Sequence, residues 1–535
     1  MSVGGAFRIQ NNTGLVDDII MARSKLTDVL RTIGKKRLAT MRSMPENVGK
    51  PDRLLMETDV SWMPTLEEVE KTHIVFVNSS FKPFVSISSE YSKTAPIGGN
   101  QQLGNKMRFT LPILGAFVND CMIYLKLENF RALDPRDKVR YPEFLGHRLL
   151  KSTTFLVNNV PLETYGPEKY NIHWQFKVPP GKELGYLRNI GQEVPKQGYL
   201  TADPAVDEIR EYRYFGDGPQ TFKTVQSAVE LQIPLLTWFK DIQTSLPNFL
   251  FPYGSAVVEI ELEDEANIVS YANYSGNTGQ IYAPPTITDA SLYCNHIFLT
   301  PEILKIFTSK FNFQLIRVTC SQRIKQLKES NGRILLNKMR FPVETLYVAF
   351  RPSVNVTDTQ RWHRNTVITK YFVHEAVVTN VNDIQSNTAT FLEEVPVVRS
   401  LALHAHDVVL FPANRAEFYN SYLTYRFGPN HKTPRDVGWN MFPFSLNPGE
   451  YQPSGHFNAS QERELYLVYE SAIDPVHNYP YIGTTVKLRD ALDGPNTLIN
   501  PTPDAYSSPV EFLAVAESIN FLLTVDNAAV LRYAT

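Results

Sequence analysis

Histidines 404 and 406 stand two apart in the apolar run VRSLALHAHDVVLF, residues 398–411. In a strand, positions i and i+2 share a face, so the two imidazoles could bind one cation. Metal-dependent jelly-roll enzymes of the cupin type add a glutamate a few residues on. Here Asp407, Leu410 and Phe411 follow and that glutamate is missing. Half-buried, hydrogen-bonded histidines are therefore the expected reading. His374-Glu375 begins like a helical zinc-protease motif, but position 378 is Val and the second ligand is absent. Trp362-His363-Arg364 could stack on a base or a sugar, yet alone it reads better as a domain surface or interface cluster. Arg323, Lys325, Lys328 and Arg333 form a basic patch, balanced by Glu329 and expected to be a solvated loop. No GxGxxG, phosphate-binding loop or GxSxG elbow occurs.

The elements that must position these residues are mostly strands. From Thr72 onward, short apolar runs such as KMRFTLPI, CMIYLKLENF, STTFLVNNV and SAVELQIPLL are bounded by Pro, Gly, Asn or Asp. SAVVEIELED alternates with period two, placing Ala256, Val258, Ile260 and Leu262 on one side. A second series follows: KFNFQLIRVT, ETLYVAFRPS, VRSLALHAHDVVLF, RELYLVY and SINFLLTV. Helical patterns are few, chiefly residues 13–34 and Pro301–Thr308. The fold class is all-β, a sandwich or barrel, not alternating βαβ units. Residues 273–289, rich in Gly, Pro, Ser and Thr, are the expected linker between the series. Two long connections, 166–210 and 471–509, read as functional surfaces or packed excursions.

With 535 residues the chain should form two or more domains. Its 53 basic against 55 acidic residues give no global field for nucleic acid or an anionic membrane. Cys121, Cys294 and Cys320 lack CxxC spacing, which argues against a disulfide framework or structural zinc and fits a reducing compartment. No apolar signal segment is read at the N-terminus and no run is long enough for a transmembrane helix.

One stretch organises the second half: Phe442–Tyr469, FPFSLNPGEYQPSGHFNASQERELYLVY. Pro448-Gly449 and Pro453-Ser454-Gly455 are two turn signals in close succession, because Pro presets φ and Gly admits positive φ. They should feed a strand at 464–469 that is buried on both faces. Gln452 and Asn458 are expected to satisfy backbone groups that the turns expose.

At GEYQPSGHFNAS, residues 449–460, the chain resembles the major capsid proteins of nucleocytoplasmic large DNA viruses, and most of all the asfarvirus group. Gly4-Gly5-Ala6-Phe7, Thr72-His73, Phe81-Lys82-Pro83, Leu103-Gly104-Asn105-Lys106, Thr300-Pro301-Glu302-Ile303, Leu315–Val318, Ser518–Leu523 and Ala529–Tyr533 carry the same resemblance from end to end. It implies a double jelly roll: two eight-stranded antiparallel sandwiches with an N-terminal helical arm and a few loop helices. The implied divisions are an arm over 1–70 at the inner base, a first roll over 71–285 and a second over 286–535. The resemblance also implies homotrimers forming pseudo-hexagonal capsomers in the icosahedral shell of a double-stranded DNA virus, assembled in the host cytoplasm. Implied partners are neighbouring capsomers, minor capsid and penton proteins, a viral folding chaperone and an inner membrane, without direct specific nucleic-acid binding. Arg23, Lys25, Lys35, Lys36 and Arg37 of the arm are the expected inner-surface partner contacts. Pro448, Gly449, Gln452, Pro453, Ser454, Gly455 and Asn458 become a structural motif. No catalytic residue, metal or cofactor is implied. The alternative reading is a jelly-roll glycan-binding protein or metal-dependent enzyme.

Overall fold

The computed structural model describes residues 87–98, 101–192, 194, 196–201, 209–215, 218–251, 254–310, 313–380, 383–406, 408–427, 430–460, 464–473, 478, 480–483, 509–525 and 528–533. Contacts divide the chain into Met1–Ile87 and Ser88–Thr535, and the architecture below is that of the second unit. The expected helix at 13–34, the arm to residue 70 with its five basic residues, and most of the 471–509 connection fall outside the described residues.

Eight strands build the first sandwich: β1 (Ile87–Thr94), β2 (Lys106–Thr110), β3 (Phe117–Leu127), β4 (Leu150–Val157), β5 (Val160–Tyr165), β6 (Val229–Pro234), β7 (Ala256–Leu262) and β8 (Ile287–Leu299). They run in the order β1-β8-β3-β6 in one sheet and β2-β7-β4-β5 in the other. The second sandwich holds β9 (Phe313–Leu327), β10 (Asn331–Leu335), β11 (Pro342–Pro352), β12 (Val398–Ala405), β13 (Val408–Arg415), β14 (Trp439–Pro443), β15 (Leu465–Ser471) and β16 (Val510–Val525). Its orders are β9-β16-β11-β14 and β10-β15-β12-β13. The same permutation occurs twice, with each eighth strand inserted between the first and third. The chain is a double jelly roll.

Side-chain alternation decides which face of each strand turns inward. Ala256, Val258, Ile260 and Leu262 of β7 are buried and the residues between them half-buried, as the period-two pattern requires. β11 is different, being buried at every position. Both of its faces are covered, which explains the continuous apolar texture of ETLYVAF.

The boundary between the rolls comes later than 285/286. β8 pairs with β3, setting Ala290 against Leu125 and Leu292 against Ile123, so the first sandwich runs on to Leu299. Nor do residues 273–286 hang free. The buried Asp137 carboxylate accepts the N–H groups of Tyr274 and Ser275 at 2.8 and 2.7 Å and the Ser275 hydroxyl at 2.6 Å. That tie pins the polar stretch onto the first roll. The helix Pro301–Lys310 follows, as PEILKIFT indicates. The basic patch is exposed as expected, but only Lys328 lies in the connection between strands, the others standing on strands. Arg323 lies on β9 and is ion-paired with Glu511, while Arg333 lies on β10.

The 166–210 connection contains the helix Pro167–Ile172, a π turn His173–Lys177 and the helix Glu183–Asn189. It is a wedge between the sandwiches. Tyr170 packs in the first core, while Ile172 and Phe176 pack in the second. The Phe176 ring lies 4.9 Å from that of Tyr347 on β11. A third cluster bridges them: Phe144, Trp174, Val178, Ile190 and Trp362. Polar groups close the same seam. Asn171 donates to the His363 carbonyl at 2.8 Å, and the Gln175 carbonyl oxygen accepts the N–H groups of Arg435 and Asp436 at 2.8 and 3.2 Å. Glu183 binds Lys432 at 2.7 Å and Arg435 at 2.5 Å.

At the seam's edge Arg351 is buried and donates to Glu511 at 2.9 and 2.5 Å and to the Trp362 carbonyl at 2.6 Å. Glu168 of the wedge stands 3.9 Å from Arg351 and 3.8 Å from Arg323. A buried ion pair adds little net stability, but breaking one strands a charge. Glu511→Ala should therefore cost about 3–5 kcal/mol in denaturant unfolding; a cost below about 1 kcal/mol would contradict the network.

Four histidines sit along this seam. Burial holds His147 down to about 3 and His431 to about 4, and His173 and His363 well below the usual histidine range. Groups whose folded pKa is depressed take up protons preferentially when unfolded, so acid destabilises between about pH 6.5 and 4. Burial acts oppositely on Asp436, raised to about 6, and on Glu143, also raised. Their stabilising effect grows as pH falls. Among these seam groups four against two leaves a net slope of roughly 2–3 kcal/mol per pH unit near pH 5, and His296, also depressed by burial, acts in the same direction. The thermal midpoint should fall steadily from pH 6.5 to pH 5 in scanning calorimetry; a flat or rising midpoint would refute this assignment.

Candidate functional site

The double-turn stretch leaves one sheet of the second roll and enters the other. β14 pairs with Thr345–Ala349 of β11. After the turns, Phe457 and Asn458 return to pair with Val343 and Pro342 of the same strand. Only then does the chain cross to β15 in the opposite sheet. β15 alternates buried and half-buried residues, so it has one core face and not the two expected. Gly449 has φ +84° and Gly455 φ +147°, backbone that a side chain on Cβ disfavours. Ser454 Oγ accepts the Asn447 N–H at 2.7 Å, and the Asn430 amide donates to the buried Pro448 carbonyl at 3.3 Å. Asn458 Oδ1 accepts the Ser460 N–H at 3.3 Å. Gln452 is exposed, and Ser454 takes the part expected of it. Pro453 is half-buried beside these turns.

Two anchors hold the stretch to the sheet. The Phe444 N–H donates to the Glu344 carbonyl at 2.9 Å, and its ring stacks on Phe457 at 5.2 Å. Arg317 of β9 grips the buried Glu344 carboxylate at 2.6 and 3.2 Å and also donates to the Glu450 carbonyl. The Ser454 hydroxyl and the Glu344 carboxylate are both engaged in contacts that hold the stretch in place. It is a fastening.

The other candidates come apart. His404 is the penultimate residue of β12 and half-buried, whereas His406 lies beyond the strand with φ +50° and is exposed, with Nδ1 3.6 Å from Glu464. The two imidazoles do not share a face. Among the described residues no group of three or more His, Cys, Asp or Glu could hold a metal ion. His374 and Glu375 lie on the strand Thr366–Asn380, not on a helix. Trp362 and His363 are buried at the seam, with Trp362 Nε1 donating to the Glu143 carbonyl at 2.7 Å. That places them in an interface cluster within the chain. Cys121 and Cys294 are buried free thiols with Sγ atoms 3.1 Å apart. The neighbouring thiol and burial push Cys121 up, away from nucleophilic thiolate.

One feature has no local sequence signal. The seam holds a partly open pocket of about 210 Å³ whose wall includes Lys169, Lys177, Lys240, Arg317 and Glu517. These charges come from separate stretches of both rolls, so no motif announces them. Gly449 of the double turn forms part of the same wall. Glu517 is held down to about 2, because Lys177 and His431 outweigh its burial.

Comparison with known proteins agrees with this geometry. Residues 305–487 match the family described as large eukaryotic DNA virus major capsid protein. The hexon protein p72 of African swine fever virus, from a tick isolate of Malawi, is 24% identical across an alignment of 695 positions that spans the whole of both chains. A major capsid protein from a Kenyan pig isolate of the same virus matches at the same identity and coverage. Among solved structures, the Faustovirus major capsid protein superposes with a TM-score of 0.67 at 23% identity, covering 93% of this chain and 98% of that one. The PBCV-1 capsid gives 0.59 at 16% identity, covering 85% and 98%. The twofold jelly-roll permutation, its fastened second roll and these likenesses point the same way: the chain is similar to the major capsid proteins of large eukaryotic DNA viruses, those of African swine fever virus among them.

Proposed function

We propose that three copies of this chain form a pseudo-hexagonal capsomer, and that capsomers tile an icosahedral shell assembled in the host cytoplasm. The observation that carries this reading is the seam. It joins two sandwiches of equal strand order into one body, so three chains supply six equivalent walls. Assembly then needs contacts and no bond chemistry, which agrees with a non-enzymatic role. Within the trimer large apolar interfaces are expected. Exposed Tyr422 and Tyr425 on the 418–426 helical turn, with Val408 and Val409 on β13, are apolar surface of the required kind. Between capsomers weaker contacts suffice, because repetition multiplies them. The arm over 1–70, with Arg23, Lys25, Lys35, Lys36 and Arg37, would meet minor capsid and penton proteins or an inner membrane. A viral chaperone would assist folding.

Sedimentation of the purified 60.9 kDa chain should give three times that mass, with hexagonal arrays by electron microscopy at high concentration. A stable monomer at micromolar concentration would overturn the capsomer reading. The double turn yields a separate expectation. At φ +147°, with the Phe444 carbonyl 3.4 Å from a Cβ at position 455, Gly455→Val should cost about 1–3 kcal/mol and lower the yield of folded trimer. Wild-type yield and melting would show that the turn does not fasten the sheet.

A further inference from the structure

The two buried cysteines of the first core meet at an irregularity in the sheet. β8 pairs Tyr293 with Met122 and then Asn295 with Asn119. Cys294 alone therefore faces two residues of β3, Asp120 and Cys121, which is a β-bulge. Asp120 takes the left-handed position of the bulge, with φ +47°, and its carboxylate accepts the Tyr91 hydroxyl of β1 at 2.5 Å. Across the bulge the Sγ atoms of Cys121 and Cys294 stand 3.1 Å apart, and both side chains are buried in the first core. Core packing asks only for apolar volume at these positions and does not require two sulfurs in contact. The third cysteine, Cys320, is half-buried on β9 of the other roll.

We propose that Cys121 and Cys294 are a latent disulfide, closed by exchange with a small-molecule disulfide of the glutathione class when the chain leaves a reducing compartment. One cysteine thiolate attacks a sulfur of oxidised glutathione, forming a mixed disulfide and releasing the first glutathione thiolate. The other cysteine thiolate attacks the protein-side sulfur of that mixed disulfide and expels the second. Two electrons pass to glutathione, and the two cysteine protons end on its two thiols. Burial keeps glutathione from the folded pair, so exchange begins where the sheet is open: during folding, or when the edge strand β1 detaches from β8. The bond would join the inserted strand β8 to β3 across 173 positions of sequence, and so would restrain the unfolded chain over most of the first roll. For a particle this is a lock set after departure from the host cytoplasm. That consequence rests on the capsid reading, whereas the thiol chemistry does not.

The test takes full-length protein through mild urea and back in glutathione buffers of rising oxidised-to-reduced ratio, followed by acid quenching, alkylation and peptide mass spectrometry. Expected are a cross-linked peptide joining Cys121 to Cys294 and Cys320 recovered alkylated. The oxidised protein should melt about 3–8 °C above the reduced one, and dithiothreitol in urea should reverse both changes. Cys294→Ala and, independently, Cys121→Ala should lose the oxidative rise while their reduced midpoints stay close to that of the reduced wild type; Cys320→Ser should retain it. Sedimentation of the same samples reports the oligomer separately, so failure of the capsomer reading is distinguishable from failure of the lock. Full alkylation of both cysteines at the most oxidising ratio, glutathione adducts in place of the cross-link, or equal midpoints with and without it would overturn the proposal.

Discussion

The structure depends on one constraint: the second sandwich cannot complete its inner surface from its own residues. β11 is buried on both faces, and one of those faces is covered by Phe176 and its neighbours, which belong to a connection of the first sandwich. Two jelly rolls could have been joined by a linker and left to move. Instead, apolar rings and neutral amides from residues 167–192 fill the space between them, and the ion pairs Arg351–Glu511 and Lys432–Glu183 seal its margins. The polar groups give register and not much energy, because each offsets its own desolvation. The apolar rings give the energy.

Much of this fold is legible in the chain and the rest is not, for identifiable reasons. Period-two alternation marks β7 directly, since one of its faces is wet. The turn signal at Pro448-Gly449 corresponds to a turn with Gly449 at positive φ, while Pro453-Ser454-Gly455 lies in an irregular segment with Gly455 at positive φ. The division between the rolls is misplaced by sequence reasoning because β8 follows a stretch rich in Gly, Pro and Ser. Such composition describes a loop equally well whether it swings free or is clamped by a buried aspartate. The wedge is hidden for another reason. GPEKYNIHWQFKVPP has no amphipathic period, because it touches two cores and a third cluster from different sides. Short helices of this type are fixed by tertiary packing, and propensity does not report them.

The candidate chemistry follows the same logic. Sequence spacing put His404 and His406 on one face, and a single residue in left-handed backbone separated them. Trp362 and His363 looked available to a ligand and are instead spent on internal packing. By contrast, the charged pocket of the seam had no motif at all. Charges gathered from distant segments are visible only after the chain has folded.

The strand order carries a consequence for synthesis. In each roll the strand made last lies inside its sheet, between the first strand and the third. A ribosome delivers residues 510–525 only after every other strand of the second roll has emerged. Until then β9 and β11 face each other across a vacant position, with unpaired backbone edges on both sides. A truncated product would keep that slot open and could accept a strand from another chain. The interval before β16 pairs is therefore the one in which the second roll is most exposed to pairing with another copy of itself.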